Sequence, residues 1–168
     1  MAHYDMLVIG SGPAGQKAAI QGAKVGKKVG IIEGKKFVGG LCINSGTIPS
    51  KSLREAVLFL SGFRQRNLYG ASYRVKKDIT FEDLLFKCDH VVKAEQEVVQ
   101  NQLIRNHVDF IVGHASFIEP HTLSVMHDLE TDDHTADFIV IAVAPSRPAR
   151  RGFRSIIPRS SIVTGCWL

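Results

Sequence analysis

The run Gly10-Ser11-Gly12-Pro13-Ala14-Gly15 constrains this chain more than any other feature. It ends an apolar stretch, Tyr4 to Ile9, and opens a segment, Pro13 to Lys24, in which Ala and Ile recur at helical spacing before Gly26. A second apolar run, Lys28 to Glu33, follows directly. Strand, tight turn, helix and strand in succession form the βαβ rhythm, which requires a parallel pair joined by a crossover. The expected fold class is therefore α/β, a Rossmann-like doubly wound parallel sheet.

A G-x-G-x-x-G pattern between a strand and a helix has a physical use. Its glycines permit a tight turn and close approach of the backbone to a pyrophosphate, whose charge is favoured by the free N–H groups and dipole of the helix N-terminus. Glu33 ends the next strand, at the distance past the glycines where a carboxylate can accept hydrogen bonds from both ribose hydroxyls of an adenosine. A 2′-phosphate would be repelled there, so the pattern points to an FAD-like or NAD-like ligand. The plainer alternatives are an ordinary helix-strand turn and a solvated strand-end acid.

Further along, Lys35 to Ser45 is loop-like and contains Gly39-Gly40. Pro49 opens a helix carrying Leu53, Ala56, Val57 and Leu60, since a proline in a first turn lacks an N–H that would have no intrahelical partner. Asn67 to Asp78 reads as connector, and Thr80, with Asp83 three residues on, caps a long helix toward Ile104. Short β-type runs, Asp109 to Val112, Ala115 to Ile118 and Thr122 to Met126, suggest a small β-meander insertion with a turn over the acidic Asp128 to Asp133. Asp137 to Val143 reads as a strand buried on both faces at the centre of a parallel sheet. The expected division is a nucleotide-binding domain over 1–146 and an atypical basic tail over 147–168.

That division follows from charge. The net charge of +5 would invite nucleic acid or an anionic membrane, but all 16 acids lie before residue 147, and the excess equals Arg147, Arg150, Arg151, Arg154 and Arg159. Neither partner is expected. Cys42, Cys88 and Cys166 lie far apart with no C-x-x-C, the histidines show no metal spacing, and no metal site is expected. An odd cysteine count, no leader pattern and no apolar stretch of membrane-spanning length predict a cytoplasmic chain.

Gly39-Gly40-Leu41-Cys42-Ile43-Asn44-Ser45-Gly46-Thr47-Ile48-Pro49-Ser50-Lys51 resembles the redox-loop signature of the pyridine nucleotide-disulfide oxidoreductase flavoproteins, in which the Rossmann nucleotide is FAD. In the disulfide-reducing members two cysteines flank four residues. Here the first is Cys42 and the second position holds Thr47, whose hydroxyl cannot form a disulfide or a thiolate. Gly46 to Ala56 is most similar to the soluble, Si-specific NAD(P) transhydrogenases, which move hydride between NADPH and NAD with flavin as relay and are homo-oligomeric. The resemblance implies that Gly10, Gly12, Pro13, Ala14 and Gly15 hold the FAD pyrophosphate and Glu33 the adenosine ribose. Gly39, Gly40 and Cys42 line the path from ribitol to isoalloxazine, and Ala115 meets the adenine through its backbone. Thr47 sits against the flavin, and Lys51 places a positive charge where negative charge develops on reduction. Outside the motif, Lys51 reads as a surface lysine and Cys42 as a small apolar side chain, and Cys88 reads as core.

The resemblance covers residues 4 to 143, about the first third of a family member by usual domain sizes. No second G-x-G-x-x-G is present, Ala142-Val143-Ala144-Pro145 replaces the family's glycine turn, and an altered reading frame is one explanation for the acid-free stretch beyond it, Arg150 to Leu168. Three functional readings follow: the FAD-binding portion of an NAD(P) transhydrogenase, a fragment resembling dihydrolipoamide dehydrogenase or mercuric reductase, and a non-catalytic nucleotide-binding remnant. In the first, the partners are nicotinamide nucleotides.

Overall fold

The computed structural model describes residues 1–143 except 71 and 74. Residues 144–168, with the expected domain boundary, the arginine tail and Cys166, lie outside the described residues. The chain opens with β1 (Ala2–Ile9), α1 (Pro13–Lys24) and β2 (Val29–Glu33), as the βαβ rhythm predicts. It continues through α2 (Gly40–Asn44), α3 (Thr47–Leu60), α4 (Arg66–Tyr69) and the long α5 (Phe81–Arg105). Four strands close it: β3 (Asp109–Val112), β4 (His114–Glu119), β5 (Thr122–His127) and β6 (Glu130–Ile141).

All six strands form one sheet in the order β3-β2-β1-β6-β5-β4. β3, β2, β1 and β6 run parallel, whereas β4, β5 and β6 pair antiparallel as a meander. β6 belongs to both parts, because Glu130 to Thr135 pairs with β5 while His134 to Ile141 pairs mostly with β1. The meander is thus grafted onto the parallel sheet through a single long strand. Alternation from Met6 to Ile9 and along β2 sends side chains to two faces, and a bulge at Asp5-Met6, whose amides both donate to the Lys28 carbonyl, puts Tyr4 on the face of Leu7. Val8, Val29 and Ile31 pack with Ala19 of α1 and Val99 and Leu103 of α5, whereas Tyr4, Leu7 and Ile32 pack with Leu123, Val125 and Ala136 of the meander.

Four expectations are corrected. The loop-like Lys35 to Ser45 contains α2, and the connector from Asn67 contains most of α4. The acidic turn is only Asp128-Leu129. His127 pairs with Glu130 and Asp128 has φ 53, a tight two-residue hairpin, so Glu130 to Asp133 are strand with solvated side chains. The strand read as Asp137 to Val143 begins seven residues earlier and is not buried on both faces: Ala136 is buried, but Phe138 and Ile141 are 68% and 64% exposed.

The cap of α5 forms as the sequence predicts. Thr80 Oγ1 accepts from the Asp83 N–H at 3.3 Å, and an Asp83 carboxylate oxygen accepts from the Thr80 N–H at 2.9 Å. Lys76 Nζ and the Thr80 groups, all donating to that carboxylate, hold the Asp83 pKa down at about 2. A carboxyl depressed by folding stabilises the fold above its unfolded pKa near 4 and loses that contribution as pH falls toward 2. Asp83→Asn is therefore expected to lower the Tm at neutral pH, with the difference from the parent closing between about pH 4 and 2 in thermal melts. A constant difference across that range would refute the account.

Candidate functional site

The order of the parallel strands reverses at β1, which lies between β2 and β6, and at such a point the carboxyl ends of the strands leave a crevice for a ligand. The glycine-rich turn fills the floor of this crevice. Gly10 has φ +103, and a Cβ there would lie 2.7 Å from the Ala142 carbonyl oxygen, so only glycine passes beside β6. A Cβ on Gly15 would strike the Gly10 carbonyl oxygen, which sets how closely α1 approaches the turn. One on Gly40 would lie 2.9 Å from the Gly12 Cα, so the start of α2 rests against the turn.

Gly12 differs from these, for among the described residues nothing lies within 4 Å of the Cβ it lacks. Its backbone has φ −66 and ψ 176, which any residue can adopt, so neither strain nor crowding among the described residues demands glycine. No side chain caps α1, Pro13 has no N–H, and the Ala14 and Gly15 amides precede the first intrahelical donor, the Gln16 N–H that bonds the Gly12 carbonyl at 3.0 Å. Pro13 and Ala14 are exposed. The open space above Gly12 and the free amides at the α1 N-terminus therefore form a cradle for an anionic group, and a pyrophosphate fits it.

Glu33 stands at the end of β2, half-buried beside this cradle. Its Oε2 accepts from the Ser11 N–H at 3.0 Å and from the Ser11 hydroxyl at 2.6 Å. The Gly113 N–H donates to the Glu33 carbonyl oxygen at 2.9 Å, which brings the β3–β4 turn alongside. Ala115, half-buried on β4, lies two residues beyond that turn. The predicted pyrophosphate, ribose and adenine contacts thus lie on neighbouring backbone segments, although they are distant in sequence.

Gly39 and Gly40 lead into α2, which carries the half-buried Cys42. Thr47 is the first residue of α3 and Lys51 lies one turn on, both exposed. Pro49 is the third residue of that helix, so the helix starts two residues earlier than its proline. Cys42 and Cys88 are both free thiols, and among the described residues no group of His, Cys, Asp or Glu could hold a metal. Cys88 is buried on α5 and donates to the Pro49 carbonyl at 3.5 Å, and its burial pushes the thiol pKa up. It is core, as its apolar neighbours predicted.

Four polar residues of the site carry no signal in the sequence pattern. Ser11 and Gln16 are buried, and Gln16 Nε2 donates to the Ser11 carbonyl at 2.7 Å. Asn44 Nδ2 donates to the Val38 and Gly40 carbonyls at 3.0 and 2.8 Å, while Gln96 Nε2 of α5 donates to Asn44 Oδ1 at 2.5 Å. This chain of bonds ties both ends of α2 to α5 and fixes the segment that bears Cys42. Ser11 and Asn44 lie within the motifs, but their partners are 22 and 52 residues away, so no local pattern marks them.

A strand order reversing at β1, a glycine turn against a free helix N-terminus and a strand-end carboxylate define a dinucleotide-binding domain of the Rossmann type. The pyridine nucleotide-disulphide oxidoreductase family matches residues 4–155, and the chain belongs to it. The family is one of oxidoreductases that use FAD and NAD(P). The chain is 58% identical over 152 residues to the soluble pyridine nucleotide transhydrogenase of Mycobacterium bovis (strain BCG / Pasteur 1173P2), covering 89% of this chain and 32% of that protein. It is 42% identical over 154 residues to the soluble pyridine nucleotide transhydrogenase of Yersinia enterocolitica, covering 90% and 33%. Among solved structures, the Cu(II) complex of the HOCl-induced flavoprotein disulfide reductase RclA from Escherichia coli is similar with a TM-score of 0.67 at 27% identity, over 88% of this chain and 31% of that one. The chain spans about a third of the length of these relatives. Among the described residues no helix is long and apolar enough to cross a membrane.

Proposed function

We propose that this chain is the FAD-binding portion of a flavoprotein that moves hydride between NADPH and NAD. The observation that carries the FAD assignment is the open space above Gly12, next to a carboxylate at the end of β2. Gly10, Gly12, Pro13, Ala14 and Gly15 would hold the pyrophosphate, Glu33 the ribose hydroxyls, and Ala115 the adenine. Gly39, Gly40 and Cys42 would line the route toward the flavin ring, with Thr47 and Lys51 at its far end. When bound, the flavin supplies a site, N5, that accepts a hydride and gives it back.

The protein's own contribution is binding and electrostatics. The α1 amides neutralise pyrophosphate charge without reorganising, and the Glu33 carboxylate accepts hydroxyl protons while repelling a 2′-phosphate. Lys51 would bring its ammonium to the ring, where negative charge gathers on reduction. Transhydrogenation is favoured over disulfide reduction because Thr47 holds the position of the second cysteine and no dithiol can form between Cys42 and Thr47. The transhydrogenase relatives support the same choice, although the named structural neighbour is a disulfide reductase. The cysteine pattern supports a cytoplasmic setting.

The test is the visible spectrum of the 168-residue chain after incubation with FAD and gel filtration, followed by anaerobic NADPH and then thio-NAD or lipoamide. Flavin absorbance that elutes with the chain is the expected result, and bleaching by NADPH with recovery on thio-NAD would extend it to the reaction. Elution without flavin would overturn the FAD assignment, and recovery on lipoamide instead would favour the disulfide-reductase reading.

A further inference from the structure

The cradle contains a residue whose side chain cannot reach a ligand directly. Ser11 is fully buried, yet it lies at the centre of the site. The Gly39 N–H donates to the Ser11 hydroxyl oxygen and to the Ser11 carbonyl, each at 3.1 Å. A serine hydroxyl has one proton, and with Gly39 acting as donor to its oxygen that proton is directed at Glu33 Oε2, 2.6 Å away. The Ser11 N–H converges on the same oxygen. Two donors therefore hold one carboxylate oxygen, and among the described residues Oε1 accepts nothing. A short O–H···O⁻ bond of this kind is among the stronger hydrogen bonds a protein makes.

We propose that Ser11 is a positioning residue for the adenosine ribose: through its hydroxyl and amide it pins Oε2 of Glu33, presents Oε1 to the ribose hydroxyls, and so sets the preference for an unphosphorylated 2′-hydroxyl. The inference rests on the FAD reading above. Its physical basis is pre-organisation. A free glutamate samples several rotamers, whereas a carboxylate held by two donors loses little freedom when the ribose arrives. Because Gly39 also donates to Ser11, the same hydroxyl links this carboxylate to the start of α2, which rests on Gly12. Removing the hydroxyl need not unfold the turn, since the Gly39 N–H keeps the Ser11 carbonyl as acceptor and the Ser11 N–H keeps Glu33.

The experiment is fluorescence titration of the 168-residue chain with FAD and with its 2′-deoxyadenosine analogue, in the parent, Ser11→Ala, Glu33→Gln and the double variant, with a Tm for each. The parent is expected to prefer FAD by roughly tenfold, equivalent to about 1.4 kcal/mol. Ser11→Ala should lose most of that preference at a nearly unchanged Tm, and in the Glu33→Gln background it should cost almost nothing more, since a residue acting through Glu33 is coupled to it. Where Ser11→Ala fails to fold, Ser11→Cys keeps the volume, supplies only a weak donor and should show the same loss. Retained discrimination in the serine variant, or additive losses in the double variant, would overturn this inference alone. A parent chain that binds no FAD would overturn the FAD reading and the inference with it.

Discussion

Gly12→Ala is expected to leave the fold intact and to weaken FAD binding by roughly 10- to 100-fold, the cost of forcing a methyl group into an occupied contact. The φ and ψ of Gly12 suit alanine and among the described residues its Cβ would meet nothing within 4 Å, so these residues give no reason for glycine. The methyl group would instead occupy the ligand's place. Gly15→Ala should behave in the opposite way, because its Cβ collides with a backbone carbonyl that cannot move aside cheaply. A loss of about 3 kcal/mol in stability is expected there, with flavin binding lost as a consequence. Thermal melts and FAD titrations of both variants separate the two. A destabilised Gly12→Ala chain, or one that binds FAD like the parent, would show that the open space is not the pyrophosphate position.

Leu7→Ala is expected to produce the largest loss of stability among single core truncations of the sheet. Leu7 lies on the central strand with no exposed surface, and it packs with Tyr4, Ile32, Leu123, Val125 and Ala136. It therefore joins the parallel strands to the meander that covers their second face. Truncation of such a leucine removes its transfer free energy and leaves a cavity that a pleated sheet cannot close, for about 3 to 4 kcal/mol. In a chain of this size that corresponds to about a 10 °C drop in Tm. A change below 1 kcal/mol in denaturant melts would mean that the meander repacks independently of β1, contrary to the shared cluster.

Features whose cause is local are legible in the order of residues. The turn from Gly10 to Gly15, the start of α1 at Pro13, the Thr80–Asp83 cap and the end of β2 at Glu33 all follow from neighbouring residues and appear where the sequence puts them. The short helix α2 is not legible in this way because its cause is not local: Gly39-Gly40 reads as loop, and Asn44 holds the helix through carbonyls and a glutamine from α5. The acidic run Glu130 to Asp133 resembles a turn by composition, but pairing with β5 overrides that propensity where the side chains remain in water. The exposed Phe138 and Ile141 belong to the same lesson, since apolar continuity marks a strand without saying how many of its faces are covered.

By itself the sequence determined the nucleotide-binding class, the glycine turn and the strand-end carboxylate, and the threonine five residues after Cys42 in place of a second thiol, because each depends on residue identity and short spacing. Only the tertiary structure decided that β6 serves the parallel strands and the meander at once, that Gly12 alone among the turn glycines is open, and that Ser11 rather than solvent holds Glu33. Those outcomes depend on contacts between segments far apart in the chain, where steric fit and hydrogen-bond completion are set by packing and leave no periodic trace in the order of residues.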